Sequence, residues 1–100
     1  MLWIASDNNV EWTGASDAKT AAYLNSATVT YVLKDSAGTT ITSGTCDYVA
    51  ASDGDYLGVI DAADVDALTE GTQYTLDLTL VQGNYNDFRR HVLTARYRNN

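Results

Sequence analysis

The sequence predicts an all-β domain folded as an antiparallel sandwich, and three features of the chain support this prediction. Apolar and polar residues alternate in several short runs, which is the pattern of half-buried strands. Glycine and small polar residues separate these runs, as is typical of turns. The one segment of helical composition is too short to form a stable isolated helix. With 100 residues, the chain is long enough for one domain with its own core.

The clearest strand follows a predicted corner within residues 68–81. Its inward face carries four large apolar side chains, Tyr74, Leu76, Leu78 and Leu80, and polar residues fill most of the positions between them. Leu68 and Gly71 precede Tyr74 at the spacing of a tyrosine corner. In that motif the tyrosine buries its ring and its hydroxyl bonds to the backbone of the preceding turn.

The first thirteen residues are predicted to form an N-terminal hairpin. Two short apolar runs, at residues 2–5 and 10–12, flank the polar segment 6–9. The only tryptophans, Trp3 and Trp12, both lie here. Either they cover the domain's own core, or the hairpin is an arm whose tryptophans anchor in a neighbouring subunit, because aromatic residues dominate interface hot spots. The sequence leaves both interpretations open.

The middle of the chain predicts a series of short strands joined by polar turns. Asp35 and Gly38 take the first and fourth positions of a type I turn. Gly44 is expected to break one strand, and Cys46 to point inward on the next as an inert thiol. Residues 61–68 are expected to form a loop or a single helical turn. The predicted strands are residues 21–24, 27–34, 39–43, 45–50 and 56–60. In the last strand either Tyr56, Gly58 and Ile60 or Leu57 and Val59 point inward, and we favour the first set.

A hairpin loop and a closing strand complete the prediction. Residues 82–87 (QGNYND) form the predicted loop, with Tyr85 at its tip either as a contact residue or as a cover for the open end of the sandwich. The closing strand, residues 88–98, is expected to direct His91, Leu93, Ala95 and Tyr97 inward. Its outward face is expected to carry the arginines Arg90, Arg96 and Arg98.

The corner motif and the absence of alternating strands and helices favour a sandwich over a small barrel. We therefore predict an immunoglobulin-like antiparallel β-sandwich of seven or eight short strands with an N-terminal hairpin. We predict a single domain over residues 1–100, in which the hairpin of residues 1–13 either packs on the sandwich or forms an arm. The segment at the N-terminus lacks the features of a signal peptide, and no apolar stretch has transmembrane length, so we expect a protein that is cytosolic or is packaged with something made in the cytosol.

The charge distribution suggests protein partners. The net charge of −7 argues against general nucleic-acid binding, which needs a basic surface. All thirteen carboxylates lie in residues 1–88, whereas four arginines follow in the last twelve positions. Either the last strand pairs with acidic neighbours in the domain, or it docks on an acidic protein or on another copy of the chain.

Candidate catalytic and metal-binding residues are few. The lone His91 has no neighbouring serine nucleophile, and the glycines form no phosphate-binding loop. Asp61, Asp64 and Asp66 lie in one loop, but their spacing does not match a calcium-binding EF-hand, and their simplest role is to keep the surface solvated. We predict no enzyme activity, no cofactor and no metal site, with calcium binding by this loop as an open alternative.

Several segments resemble small immunoglobulin-like proteins encoded in the structural-gene clusters of tailed phages and prophages. The resemblance rests on residues 22–30 (AYLNSATVT), the turn from Leu33 to Gly38, residues 48–50 (YVA) and 52–58 (SDGDYLG), and the corner from Leu68 to Tyr74. It implies a virion or assembly component that is not an enzyme, located in the virion and in the host cytoplasm during assembly. It offers no catalytic residues.

The expected function is therefore that of a phage structural protein. Head completion, head–tail joining and capsid decoration are the candidate roles, and the partners are other virion proteins or further copies of this chain, with no nucleic acid and no membrane. The predicted contact residues are Trp3, Trp12, Tyr85, Arg90, Arg96 and Arg98. The alternative is a carbohydrate- or host-surface-binding module that uses Tyr85 and loop carboxylates, with or without calcium.

Overall fold

The structure is a computed structural model and describes residues 1–98. In this range it contains seven strands: β1 (Leu2–Ile4), β2 (Asn8–Trp12), β3 (Thr28–Lys34), β4 (Thr40–Tyr48), β5 (Tyr56–Ile60), β6 (Gln73–Gln82) and β7 (Tyr85–Tyr97). One short 3₁₀ turn, Ala62–Asp64, lies between β5 and β6. The prediction of an all-β fold is confirmed, and so is the single helical turn expected within residues 61–68.

The strands form one mixed sheet that is nearly closed on itself. Their order is β1-β7-β6-β3-β4-β5-β2, so the two edge strands are the first two strands of the chain. The pairing is antiparallel throughout, except that β1 runs parallel to β7. β4 joins two layers, since its residues 40–46 pair with β3 and its residues 47–48 pair with β5.

The core lies between these layers and is built from the inward positions of every strand. On β5, the inward residues Tyr56, Gly58 and Ile60 are the ones that the alternation predicted. Tyr56 also connects the layers to the preceding loop, because its hydroxyl donates to the Leu24 carbonyl and accepts from the Ala27 N–H. The largest side chains that are almost fully buried are Trp12, Tyr56, Leu2, Ile4, Leu33, Ile60, Leu78 and Leu80.

The predicted tyrosine corner is confirmed at the start of β6. The Tyr74 ring is buried, and its hydroxyl accepts a hydrogen bond of 3.0 Å from the Thr69 N–H. Gly71 lies between these residues with φ +84°, a left-handed conformation that suits glycine because it lacks a Cβ. The corner thereby connects the 3₁₀ segment to the longest run of inward leucines.

The predicted N-terminal hairpin is wrong, because β1 and β2 do not pair with each other. β1 pairs with β7, and β2 pairs with β5. The side-chain amide of Asn8 makes the hydrogen bonds that a hairpin partner would make: its Oδ1 accepts from the Trp3 N–H at 2.8 Å, and its Nδ2 donates to the Trp3 and Ser6 carbonyls at 2.9 Å. Leu2, Ile4, Val10 and Trp12 are buried in the domain's own core, so both strands pack on their own chain.

Two predicted strands, residues 39–43 and 45–50, are one strand, because Gly44 does not break β4. Gly44 pairs with Tyr31 across the ladder, and a Cβ at this position would come within 2.6 Å of the Tyr31 hydroxyl oxygen. Glycine therefore leaves room for the Tyr31 ring, whose hydroxyl donates to the Val59 carbonyl at 3.2 Å. The predicted strand at residues 21–24 is reduced to an isolated bridge between Ser16 and Tyr23.

The last hairpin is tighter than predicted. β7 begins at Tyr85, which pairs with Gln82, so only Gly83 and Asn84 form the turn. Gly83 has φ +59°, as the first turn position of a type II′ hairpin requires. Tyr85 is therefore a half-buried strand residue and not a loop tip. Residues 99 and 100 lie outside the described residues.

Candidate interaction surface

The far side of β7 is an edge that the domain leaves largely unpaired. Residues 85–94 pair with β6 on one side. On the other side, β1 pairs with Ala95, Arg96 and Tyr97, and no other strand in residues 1–98 pairs there. Residues 85–94 therefore form the free edge of β7. Such edges bind extended segments of other chains unless the protein blocks them.

The orientation of the backbone along this edge follows from the hydrogen bonds of Ala95. Its N–H donates to the Thr72 carbonyl at 3.0 Å, and its carbonyl accepts from the Gly71 N–H at 2.8 Å, so both groups point to the β6 side. In an antiparallel ladder the direction alternates from one residue to the next. The main-chain groups of the even-numbered residues, among them Phe88, Arg90 and Val92, therefore point to the free edge.

The side chains of the same even-numbered residues cover the outer face of the sheet. Phe88 and Val92 are 52% and 62% exposed, which is high for apolar side chains. Arg90 lies between them, and its guanidinium carbon is 5.4 Å from the centre of the Phe88 ring. We call Phe88, Arg90 and Val92 the outer triplet. It combines exposed apolar groups with a charge, which is the composition of an interface more than of an ordinary solvated face.

Arg90 is held in place by a buried carboxylate on β6. Its Nε and Nη2 donate to Asp77 Oδ1 and Oδ2 at 2.7 and 3.0 Å, and Lys34 Nζ lies 3.5 Å from Asp77 Oδ2. Asp77 is buried beneath these cations. The Arg90 hydrogen bond lowers the pKa of Asp77 below its ordinary value against the opposing effect of burial, with smaller contributions from the Arg90 charge and from Lys34.

Asp77→Asn is expected to reduce the pH dependence of stability in acid. Because the pKa of Asp77 is lower in the folded than in the unfolded state, its carboxylate stabilises the fold above about pH 4, and this is lost as the pH falls through the folded pKa. We expect a loss of about 1–3 kcal/mol at pH 7, measured by urea unfolding at several pH values. Asp66→Asn, at an exposed position, is the control. Equal acid sensitivity of wild type and Asp77→Asn would contradict the assignment.

The inner face of β7 carries a contact that the sequence did not reveal. Arg89 pairs with Leu78 and therefore lies on the inner face of β7, although it is charged. Its guanidinium carbon lies 4.1 Å from the centre of the Trp12 ring. Trp12 is 1% exposed, and its indole N–H has no hydrogen-bond partner among the described residues. Arg89 thus covers the core between β7 and β2. His91, predicted to be a core residue, is exposed on the same face.

Three predicted contact residues meet where β1 joins β7. Trp3 is half-buried and lies in register with Arg96. The guanidinium carbon of Arg98 lies 5.3 Å from the centre of the Trp3 ring, within the range of a cation–π contact. Trp3, Arg96 and Arg98 therefore form one exposed basic and aromatic cluster beside the free edge. Trp12 belongs to the core, where it is unavailable to a partner.

Tyr85 lies at the opposite end of β7 beside a shallow pocket of about 380 Å³. Two side chains of the pocket are oriented by the backbone: Asp17 Oδ1 accepts from the Lys19 N–H at 2.7 Å, and Gln82 Oε1 accepts from the Ser26 N–H at 3.0 Å. The lining residues are Asp17, Ala18, Lys19, Gln82, Asn84 and Tyr85. The pocket is separate from the Trp3–Arg98 contact and from the outer triplet with Arg90, so the predicted contact residues on the surface fall into three places along β7.

Few other side chains in the described part of the chain are of types that react or bind metals. Cys46 is buried, and burial, with a smaller effect of the Asp47 charge, raises the pKa of its thiol to about 11. It is therefore protonated at neutral pH. Within residues 1–98, no three histidine, cysteine or acidic side chains are placed to hold a metal ion, and this range includes Asp61, Asp64 and Asp66.

No family model, no curated protein and no solved structure matches this chain. Among the described residues, no helix has the length and apolarity needed to cross a membrane.

Proposed function

We propose that this protein is a non-enzymatic structural component of a tailed-phage virion, and that it binds other virion proteins or copies of itself through the free edge of β7. The observation that supports this proposal is the unpaired side of residues 85–94, where alternate main-chain groups point away from the sheet. An extended segment of a partner adds to such an edge as a further strand.

Side chains beside the edge supply the specificity of this contact. The outer triplet offers two exposed apolar groups around an arginine that Asp77 holds in one orientation. An ordered cation costs less conformational entropy to bind than a free one. Trp3 and Arg98 add an aromatic and basic contact at the end of the edge. Together these groups favour a partner segment that carries both apolar and acidic residues.

The fold is best interpreted as an immunoglobulin-like sandwich in which β4 passes between the layers. β2 and β5 form one layer with the end of β4, and β3, β6 and β7 form the other with its beginning. The first strand runs parallel to the last, and a tyrosine corner precedes β6. This interpretation agrees with the resemblance to phage immunoglobulin-like proteins, which is the basis for proposing a virion location.

A contact through the edge of β7 is compatible with the symmetry of a phage particle. Head completion, head–tail joining and capsid decoration all place many copies of one protein around a symmetric structure. Each edge contact is small, but many copies acting together give firm attachment through avidity. No chemical reaction is needed for any of these roles.

Val92→Pro tests the use of the edge. Proline removes an N–H that points away from β6, so the bonds within the sheet remain, and edge strands tolerate proline. We expect the variant to fold with an unchanged circular dichroism spectrum, but to enter virions of the encoding phage at least tenfold less, as measured by quantitative mass spectrometry of purified particles. Val92→Thr keeps the N–H and the branched shape and is the control. Full incorporation of Val92→Pro would overturn the proposal.

A second candidate function is carbohydrate binding at the Tyr85 pocket. The pocket combines an aromatic ring with amide and carboxylate groups, which are the groups that stack on sugars and bond to their hydroxyls, and Asp17 and Gln82 are already oriented. Glycan-array binding that Tyr85→Ala abolishes and Val92→Pro leaves intact would favour this function. Repeating the array with EDTA tests whether calcium takes part.

A further inference from the structure

The layer formed by β2, β5 and the end of β4 exposes apolar residues among carboxylates. Leu57, Val59 and Val49 are exposed although they are large and apolar. Leu57 pairs with Glu11 of β2 on one side and with Asp47 of β4 on the other. All six lysines and arginines of the chain lie outside these three strands. The outer surface of this layer is therefore both apolar and negatively charged, and we call these five residues the acidic face.

A shallow depression of about 170 Å³ lies on the acidic face. Leu57 and Val49 supply apolar walls, Glu11 and Asp55 supply carboxylates, and the other lining residues are Thr13 and Tyr56. One of these carboxylates has a fixed position, because Asp55 Oδ1 accepts a hydrogen bond of 2.9 Å from the Gly14 N–H. A depression of this composition suits an apolar side chain that has a cation beside it.

The outer triplet, on the opposite layer, has the complementary composition. The Arg90 guanidinium carbon lies 5.4 Å from the centre of the Phe88 ring, so an exposed apolar side chain and a cation project together. Lys34 and Arg90 surround Asp77, which leaves this group of three charges with an excess of one positive charge. Arg96, further along the outer face of β7, adds another. The two outer surfaces of the domain thus carry opposite charges, and both expose apolar side chains.

We propose that the acidic face binds the outer triplet of a second copy of this chain, with Phe88 of that copy in the depression. The Arg90 beside it then lies against the carboxylates of the acidic face. Arg90 uses two of its five N–H groups to bind Asp77, so the others are available for this contact. Because the two faces lie on opposite sides of the core, copies join head to tail. Such contacts form a ring where the rotation between copies closes and an open filament where it does not.

This contact is distinct from the proposed use of the free edge. A strand added to the edge of β7 lies beside β7 in the plane of the sheet, whereas the second copy covers the outer face of the sheet. The edge contact uses main-chain groups, and the contact between the two faces uses side chains. The inference therefore goes beyond the proposed function and does not depend on it.

Charge selects this head-to-tail arrangement over contacts between identical faces. Two acidic faces, or two outer triplets, would place like charges together, which is unfavourable. The head-to-tail contact places carboxylates against cations instead. Each chain carries a net charge of −7, so the copies repel each other at long range. Salt at about 0.15 M largely screens charges that are more than about 8 Å apart, so the charges within the contact dominate.

Two variants that each lose one face test the contact. Phe88→Asp changes the outer triplet and Leu57→Asn changes the acidic face, both at exposed positions where the fold should be retained. Light scattering on a sizing column should show wild-type oligomers that grow beyond a dimer with concentration, and each variant alone should associate at least tenfold more weakly. Their equal mixture should form a one-to-one dimer with the wild-type affinity, because each mixed pair retains one intact contact. A monomeric wild type at all concentrations, or undiminished association of Leu57→Asn alone, would overturn the proposal.

A second pair of variants separates local charge from net charge. Glu11→Lys reverses a charge in the depression, and Asp66→Lys makes the same change in net charge at an exposed position between the 3₁₀ turn and β6. We expect Glu11→Lys to weaken association at least tenfold and Asp66→Lys to leave it at least as strong, because a smaller net charge reduces the repulsion between copies. Equal effects of the two variants would overturn the contact. These measurements use purified protein, so their outcome is independent of the Val92→Pro test of the proposed function.

Discussion

Trp12→Ala is expected to destabilise the domain by about 3–5 kcal/mol, the range for removing a large aromatic side chain from a packed core. Trp12 is 1% exposed and fills the space between β2 and β7. Alanine would leave a cavity there and also remove the ring on which the Arg89 guanidinium lies. Chemical denaturation followed by circular dichroism measures the loss, since this signal does not depend on the removed fluorophore.

Trp3→Ala is the matched control for this prediction. Trp3 is half-buried on the outer side of β1 and contacts Arg98 rather than the core. Its removal should cost about 1 kcal/mol, in the usual range for a substitution outside the packed core. The sequence does not distinguish the two tryptophans, but the loss of unfolding free energy should be several-fold larger for Trp12→Ala than for Trp3→Ala. Equal losses would contradict their placement on opposite sides of the sheet.

Asn8→Ala is expected to cost about 2–3 kcal/mol, although it removes only one small polar side chain. Asn8 is 6% exposed and makes three hydrogen bonds to main-chain groups of Trp3 and Ser6. Alanine would leave those groups without their partner in a mostly buried site, and unsatisfied buried groups cost about 1–3 kcal/mol each. Water that reaches the main-chain groups of Trp3 can replace part of the lost hydrogen bonding, which keeps the total below the sum for three unsatisfied groups.

Two further variants make the Asn8 prediction specific. Asn9→Ala changes the exposed neighbour on the same strand and should alter stability by no more than about 0.5 kcal/mol. Asn8→Asp keeps the shape and the acceptor but replaces the donor with a charge that faces two carbonyls, so it should be at least as destabilising as alanine. Thermal unfolding compares all three. If Asn8→Ala behaves like Asn9→Ala, the amide does not hold the two edge strands together.

Local pattern was sufficient to predict most of the strands. β3, β5 and β6 lie close to where alternation placed them, and the Leu68–Gly71–Tyr74 spacing forms the predicted corner. These elements depend on interactions between residues close in sequence or on a single buried face. Gly44 misled the prediction because glycine can end a strand or make room for a ring, and only the position of Tyr31 across the ladder decides between them.

The candidate site was predicted in part. The sequence placed Arg90, Arg96 and Arg98 on the outer face of the last strand, and the structure places them there. It placed Trp3 on an N-terminal hairpin, whereas the structure places Trp3 beside the last strand, in register with Arg96. It did not identify Arg89, because a cation on the inward face conflicts with the simple rule that inward residues are apolar. The register of β7 with β6 shows the inward position of Arg89, because Arg89 pairs with the inward Leu78.

The sequence by itself determined that this chain is all-β, which faces of β3 and β6 are buried, and that its positive charge is concentrated at the end of the chain. Only the tertiary structure decided which strands are neighbours, that the Asn8 side chain links β1 to the start of β2, and that residues 85–94 have a free side. The physical reason is that alternation along a strand reports which face is buried, whereas hydrogen bonds at a sheet edge join residues far apart in sequence and leave no local pattern.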